Sequence, residues 1–241
     1  MFSVLDMFTI GVGPSSSHTV GPMCAAQAFA SSLEESGAVS RVGRIRVVLY
    51  GSLSLTGLGH GTDRAILAGL EGNVPATVDT DYLLSVRERC AHDGTIHVNG
   101  TNAIAYDDDG DMVFDRWKRL APHPNGMRFQ AFDTQGNIID EQVWYSIGGG
   151  FIRRGRIDDA LISNHEQTPA SSQSPEDSGN DETAEYGDGV PYPFVSCDGL
   201  IDLCRKHHLS IADVVWANET ARRSPQEVRD RLTRIWNVMS H

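Results

Sequence analysis

Apolar and polar positions change period along the chain, and each change marks an element. RIRVVLY, residues 44–50, alternates so that Ile45, Val47 and Leu49 share one face, which predicts a strand. Residues 20–36, VGPMCAAQAFASSLEES, repeat instead at helical spacing through Val20, Met23, Cys24, Ala28 and Leu33 and run into Gly37. An amphipathic helix with a glycine stop is expected there. Residues 51–72 read as a glycine-rich loop and then a short helix in which Ala65, Ile66 and Leu70 share a face, with Thr62 or Asp63 as N-cap. From Gly94 onward come short alternating runs, TIHV, AIAY, MVFDR, MRFQAFD and IIDEQVWYSI, broken by the turn signals DDDGD and TQGN. They argue for a mixed or antiparallel sheet with the two early helices on one face, a fold of the α/β or α+β class.

This patterning lapses between residues 161 and 189, where almost no large apolar residue occurs, and it returns as helix over 190–241. The expected organisation is a domain over 1–160, an acidic disordered linker over 161–189 and an all-α segment after it, since the middle stretch cannot bury enough apolar area to offset chain entropy. Charge sharpens the boundary. The formal net charge is −12, and Glu166, Glu176, Asp177, Asp181, Glu182, Glu185 and Asp188 fall in the linker with no Lys or Arg among them. The remainder is only mildly acidic, and no cluster of basic residues suggests nucleic acid.

MFSVLDMFTIG at the start carries Asp6 and lacks a basic region, so it is not read as a signal peptide. No stretch approaches the roughly 20 apolar residues of a membrane helix. Cys24, Cys90, Cys197 and Cys204 are scattered, which fits reduced thiols in a cytoplasmic protein.

Several chemistry-bearing patterns fail on inspection. The G-x-G-x-x-G fingerprint breaks at Ser16 and again at Thr62, the acidic turn DDDGD has Met112 and Lys118 where a calcium loop needs Gly and Glu, and GSLSL has Leu53 where a nucleophile elbow needs Ser. Three stretches survive. PSSSHT places Ser15, Ser16, Ser17, His18 and Thr19 ahead of an apolar helix, GLGHGTD holds His60, Thr62 and Asp63 among glycines, and HPNGMRF exposes His123 and Asn125 on a turn. The first reads either as helix capping, for which one hydroxyl suffices, or as an anion pocket with an imidazole able to move a proton beside it. The histidines of the other two read either as turn-bonded side chains or as site residues.

GPSSSHTVGPM, LYGSLSLTGLGHGTDRAILAGL, HPNGMRF and YSIGGGFI, in this order, resemble the N-terminal β domain of the single-chain iron-sulfur L-serine dehydratases, or L-serine ammonia-lyases. The resemblance covers residues 1 to about 158 and resumes at PYPFVSCDGLIDLCRKHHLSIADVVWANE, which is similar to the opening of that family's catalytic α domain. It implies a fold like the allosteric substrate-binding domain of some phosphoglycerate dehydrogenases. It implies conversion of L-serine to pyruvate and ammonia, in serine catabolism that feeds gluconeogenesis. The implied cofactor is a [4Fe-4S] cluster whose open iron acts as Lewis acid on the departing hydroxyl.

By the same resemblance His18 does acid-base or positioning work with Thr19 in support. Ser15, Ser16 and Ser17 bind the substrate carboxylate, and His60, Thr62, Asp63 and Asn125 are further substrate-binding candidates. The implied partners are L-serine, a catalytic α domain or partner chain, and a second copy in a homodimer, with no nucleic acid and no membrane. The cluster cysteines are expected beyond residue 241, and Cys197 and Cys204, spaced C-x6-C, are read as core or surface thiols because such clusters take several thiolates. The expectation is therefore a truncated α domain and a chain inactive alone. The alternative is a non-catalytic module that senses serine or dimerises.

Overall fold

The computed structural model describes residues 3–164 and 189–240. They form two compact units, one built from residues 11–164 and one from residues 3–10 together with 189–240. No helix among the described residues is long and apolar enough to cross a membrane.

The larger unit runs α1 (Gly21–Glu35), β1 (Arg44–Tyr50), α2 (Gly51–Thr56), α3 (Thr62–Leu70), α4 (Thr80–Asp93), β2 (Thr95–Val98) and β3 (Asn102–Ala105). It continues through α5 (Asp108–Asp111), β4 (Met112–Asp115), β5 (Lys118–Leu120), β6 (Gly126–Phe132), β7 (Ile138–Gly148), β8 (Phe151–Arg154) and β9 (Leu161–Ser163). Seven strands make one mixed sheet in the order β2-β3-β1-β6-β7-β8, with β4 also paired to β1. β1 is parallel to β3 and β4 and antiparallel to β6, so the sheet is mixed, as its sequence pattern allowed. The alternation of β1 sends Ile45, Val47 and Leu49 into a core shared with Phe29 and Leu33 of α1, Ile66 and Leu70 of α3, and Val86 and Cys90 of α4. Phe29 and Phe129 stack in it with ring centroids 5.2 Å apart. The opposite face carries a smaller cluster of Tyr50, Leu120, Val143 and Tyr145.

Four local readings are corrected. The stretch 51–61 is not a loop: it forms α2 and a 3-10 turn, Gly57–His60, with Leu53 and Ser54 buried. Neither Thr62 nor Asp63 caps α3; Gly61 does, in the left-handed region at φ 67°, because both side chains are engaged elsewhere. DDDGD is not a hairpin turn. It is α5, a single turn joining two strands that both run parallel to β1, and it is held by the buried Asp111, which accepts from Asp107 N (2.9 Å) and from Arg44 Nε (2.5 Å). The unit also reaches past residue 160, since β9 pairs antiparallel with β5 from Leu161 to Ser163. The rest of the expected linker, 165–188, lies outside the described residues. Helix α4 is an addition: Asp79 caps it through Tyr82 N, and Leu83, Val86 and Cys90 bury one face.

The second unit contains α6 (Cys197–His207), α7 (Ile211–Thr220) and α8 (Pro225–Met239), each begun by a serine, Ser196, Ser210 or Ser224, whose hydroxyl accepts from the first-turn backbone. Val214 and Val228 are its fully buried apolar side chains among the described residues after 188. Asn218 bonds both N and O of Tyr192, and Glu219 accepts from Val4 N at 2.8 Å and from Arg223 Nη1 at 2.7 Å.

Candidate active site

PSSSHT folds as a π-turn, Ser16–Val20, that opens directly into α1. Ser15 adopts an extended backbone and its Oγ accepts from His18 N at 3.1 Å, so the capping reading holds for this one hydroxyl. The wide turn then spreads the other side chains. Thr19 and Val20 point into the protein, Ser15, Ser17 and His18 are half-buried, and Ser16 is exposed with no side-chain partner among the described residues.

Two reciprocal bonds fasten this turn to the segment around α3. Thr19 Oγ1 donates to His60 O at 2.8 Å, and Thr62 Oγ1 donates to His18 O at 2.5 Å. Thr19 is 1% exposed and Thr62 is fully buried, so both hold backbone in place. The consequence is a histidine pair: the His18 and His60 rings lie 5.0 Å apart, tilted by 43°. His60 Nδ1 lies 2.9 Å from the carbonyl of Thr56, which only accepts, so Nδ1 carries a proton and Nε2 holds the lone pair of the neutral ring. Both nitrogens of His18 meet hydroxyls, Nδ1 at 2.9 Å from Ser17 Oγ and Nε2 at 3.0 Å from Ser52 Oγ. Burial, and next the charge of His60, push the His18 pKa below the ordinary imidazole value, while a bond to the Ser52 backbone opposes them. At neutral pH His18 is therefore an unprotonated base.

HPNG joins the same place through Ser52. Gly51 sits at φ 56°, and a Cβ there would fall 2.2 Å from Pro124 O; without one, Ser52 N donates to that carbonyl at 2.9 Å. Asn125 is fixed by Nδ2 donating to Ser146 O (3.1 Å) and by its own carbonyl accepting from Ser146 N (3.0 Å), which leaves Oδ1 to accept from a ligand. Asp63 stands apart from the hydroxyls. It is 2% exposed, it receives Arg87 Nη1 from α4, and Arg87 in turn holds Asp108. Its Oδ1 is buried with no partner among the described residues.

Pattern reading passed over Ser52, Arg87 and Ser146. The last is a buried β7 serine whose Oγ would lie 2.1 Å from a Cβ on Gly21, so glycine there lets the sheet approach the π-turn. A cleft of about 140 Å³ beside the turn is lined by Thr19, His60, Gly61 and Arg64, and no acid pairs with Arg64 among the described residues.

The described residues contain no group of three or more His, Cys, Asp or Glu placed to hold a metal ion. Cys90 is buried, Cys24 and Cys204 are half-buried and Cys197 is exposed, on three separate helices. These donors do not fit an iron-sulfur cluster, which takes several convergent thiolates.

The family model described as serine dehydratase beta chain matches residues 3–156. The chain is 40% identical over 237 residues to an L-serine dehydratase of Streptomyces coelicolor, covering 98% of this chain and 48% of that protein. It is 38% identical over 240 residues to L-serine dehydratase 2 of Escherichia coli, covering 99% and 48%. Against an L-serine dehydratase of Helicobacter pylori the figures are 34% over 238 residues, 99% and 47%. The chain spans about half the length of the curated relatives it matches.

Proposed function

The chain belongs to the serine dehydratase beta-chain family, and from that premise we propose that it supplies substrate binding and proton handling to an enzyme that converts L-serine to pyruvate and ammonia. In this reaction a base takes the α proton, the C–H electron pair becomes the Cα=Cβ bond, and the β-hydroxyl leaves with its own pair and is protonated to water. The resulting aminoacrylate tautomerises to an imine, which water hydrolyses to pyruvate and ammonia.

The observation that carries the reading is the His18–His60 pair set among hydroxyls at the head of α1. His18, neutral at pH 7 and held on both ring nitrogens, handles the proton. Ser16 offers the substrate carboxylate a hydroxyl that has no side-chain partner among the described residues, with Ser15 and Ser17 behind it, and Asn125 Oδ1 accepts from the substrate ammonium. Thr19, Thr62 and Asp63 support this arrangement from buried positions. The [4Fe-4S] cluster implied by family resemblance finds no donor set among the described residues.

Kinetics on the complete enzyme test the assignment. His18→Ala is expected to lower kcat by about 10², the usual size of a lost acid-base contribution. Ser16→Ala is expected mainly to raise KM, as for a contact made equally in ground and transition states. A His18→Ala enzyme with normal kcat and a lowered thermal midpoint would return PSSSHT to helix capping. Serine binding without turnover in the parent enzyme would favour a sensing module.

A further inference from the structure

A proton-handling imidazole works only if its ring is held in one orientation and one tautomer, and the group that holds it is as necessary as the base. His18 has two neighbours able to do this. Ser17 is adjacent in sequence and rides on the same π-turn, so it cannot fix the ring relative to the rest of the site. Ser52 comes from a different element, 34 positions away, and its backbone is locked from both sides. Before it, Gly51 is buried in the left-handed region at φ 56°. The N–H of Ser52 itself donates to Pro124 O at 2.9 Å, and Leu53 after it is fully buried.

We infer that Ser52 is a positioning residue for His18: its hydroxyl accepts from Nε2–H, which makes Nδ1 the basic nitrogen, and Nδ1 takes the substrate proton when the Ser17 hydroxyl, 2.9 Å from it, turns to Ser15 Oγ at 3.4 Å. The inference rests on the function proposed for His18. It also explains why α2 begins at the end of β1 rather than after a loop: the strand end sets the hydroxyl that orients the base. A neutral orienter stabilises the imidazolium less than a carboxylate would, in keeping with a base whose protonated form is disfavoured by burial. Of the titratable groups on the segments packed against the π-turn, Asp63 is turned to Arg87, Cys24 is a half-buried thiol on α1 and Arg64 lies by the cleft. His60 is the one whose charge acts on His18.

The test is a double-mutant cycle on the complete enzyme, with Ser52→Ala, His18→Ala and the pair. Ser52→Ala is expected to lower kcat by roughly ten- to a hundredfold with KM little changed. It should also move the ascending limb of the kcat/KM profile to lower pH, because the imidazolium loses an acceptor. Ser52→Thr, which keeps the hydroxyl, should recover most of the rate at an unchanged thermal midpoint. The double variant should be no slower than His18→Ala alone, since both changes disable one device. Losses that multiply in the double variant, an unshifted pH limb, or a Ser52→Thr enzyme no better than Ser52→Ala would overturn the inference while leaving His18 its role. A normal His18→Ala enzyme would overturn the underlying function instead.

Discussion

At the scale of single residues, two hydroxyls hold the His18 ring and a backbone carbonyl holds that of His60, and the titration of the site follows from how far His18 is buried among them. His18 is pushed below the ordinary imidazole pKa by burial and by His60, and His123 by burial and by Arg153. A histidine with a depressed folded-state pKa contributes nothing to pH dependence above its unfolded value of about 6.5, where both states are neutral. As pH falls through that value the unfolded chain takes up the proton first, so stability falls. Urea midpoints measured from about pH 7.5 to about pH 5.5 are thus expected to decline, and His18→Gln should decline less steeply than the parent. Equal slopes would mean that His18 is not desolvated in solution. The serines and His18 stand out as candidates in the sequence because so many polar groups beside an apolar helix exceed what capping requires, and His60 because it lies among glycines. Ser52 was not: a serine among leucines in GSLSL has no pattern of its own, and only the fold brings it to within 3.0 Å of His18 Nε2.

Among the elements, alternation found β1, β6 and β7 with little error, since one face of each is buried in a continuous core. It failed where order comes from tertiary contacts. The run GSLSLTGLGHG looks like loop because of its glycines, yet α2 is fixed by the seat of Gly51 on Pro124 and by burial of Leu53 and Ser54. Helix α4 was passed over because few of its positions are apolar, and it docks partly through the Arg87 ion pairs. DDDGD misled because acidic, glycine-bearing turns so often join hairpins, whereas here Asp111 is buried against Arg44. Two glycine substitutions separate shape from backbone strain. Gly37 lies at φ 69° with nothing within 4 Å of an added Cβ, so Gly37→Ala is expected to cost about 1 kcal/mol. Gly51 lies at φ 56° with Pro124 O at 2.2 Å, so Gly51→Ala should cost more than about 2 kcal/mol in denaturant unfolding and also lower kcat, by moving Ser52. Equal losses in the two variants would show that the contact with Pro124 carries no weight.

For the molecule as a whole, the order of four motifs was enough to indicate the family, but the division of the chain was less legible. A first region beginning at residue 1 was expected, whereas residues 3–10 group with 189–240. Composition cannot reveal this, because a short apolar lead reads the same whichever unit it joins. The unit of residues 11–164 has its own sheet, helices and core. Expressed alone, that stretch is expected to unfold in one cooperative transition, monitored by tryptophan fluorescence and far-UV dichroism in urea. Non-coincident curves from the two probes would show that it needs the remainder of the chain. The other unit is closed by a bond from Val4 N to Glu219 Oε1, between residues 215 positions apart. On a ribosome adding about 5–20 residues per second, Val4 emerges some 10 to 40 s before its partner exists. In that interval the sheet unit can finish folding, while residues 3–10 wait, with Leu5, which is buried in the finished unit, still uncovered, for helices not yet synthesised. Residues 3–10 are thus among the last to find their place, and a chaperone that binds nascent apolar segments would meet them throughout that wait.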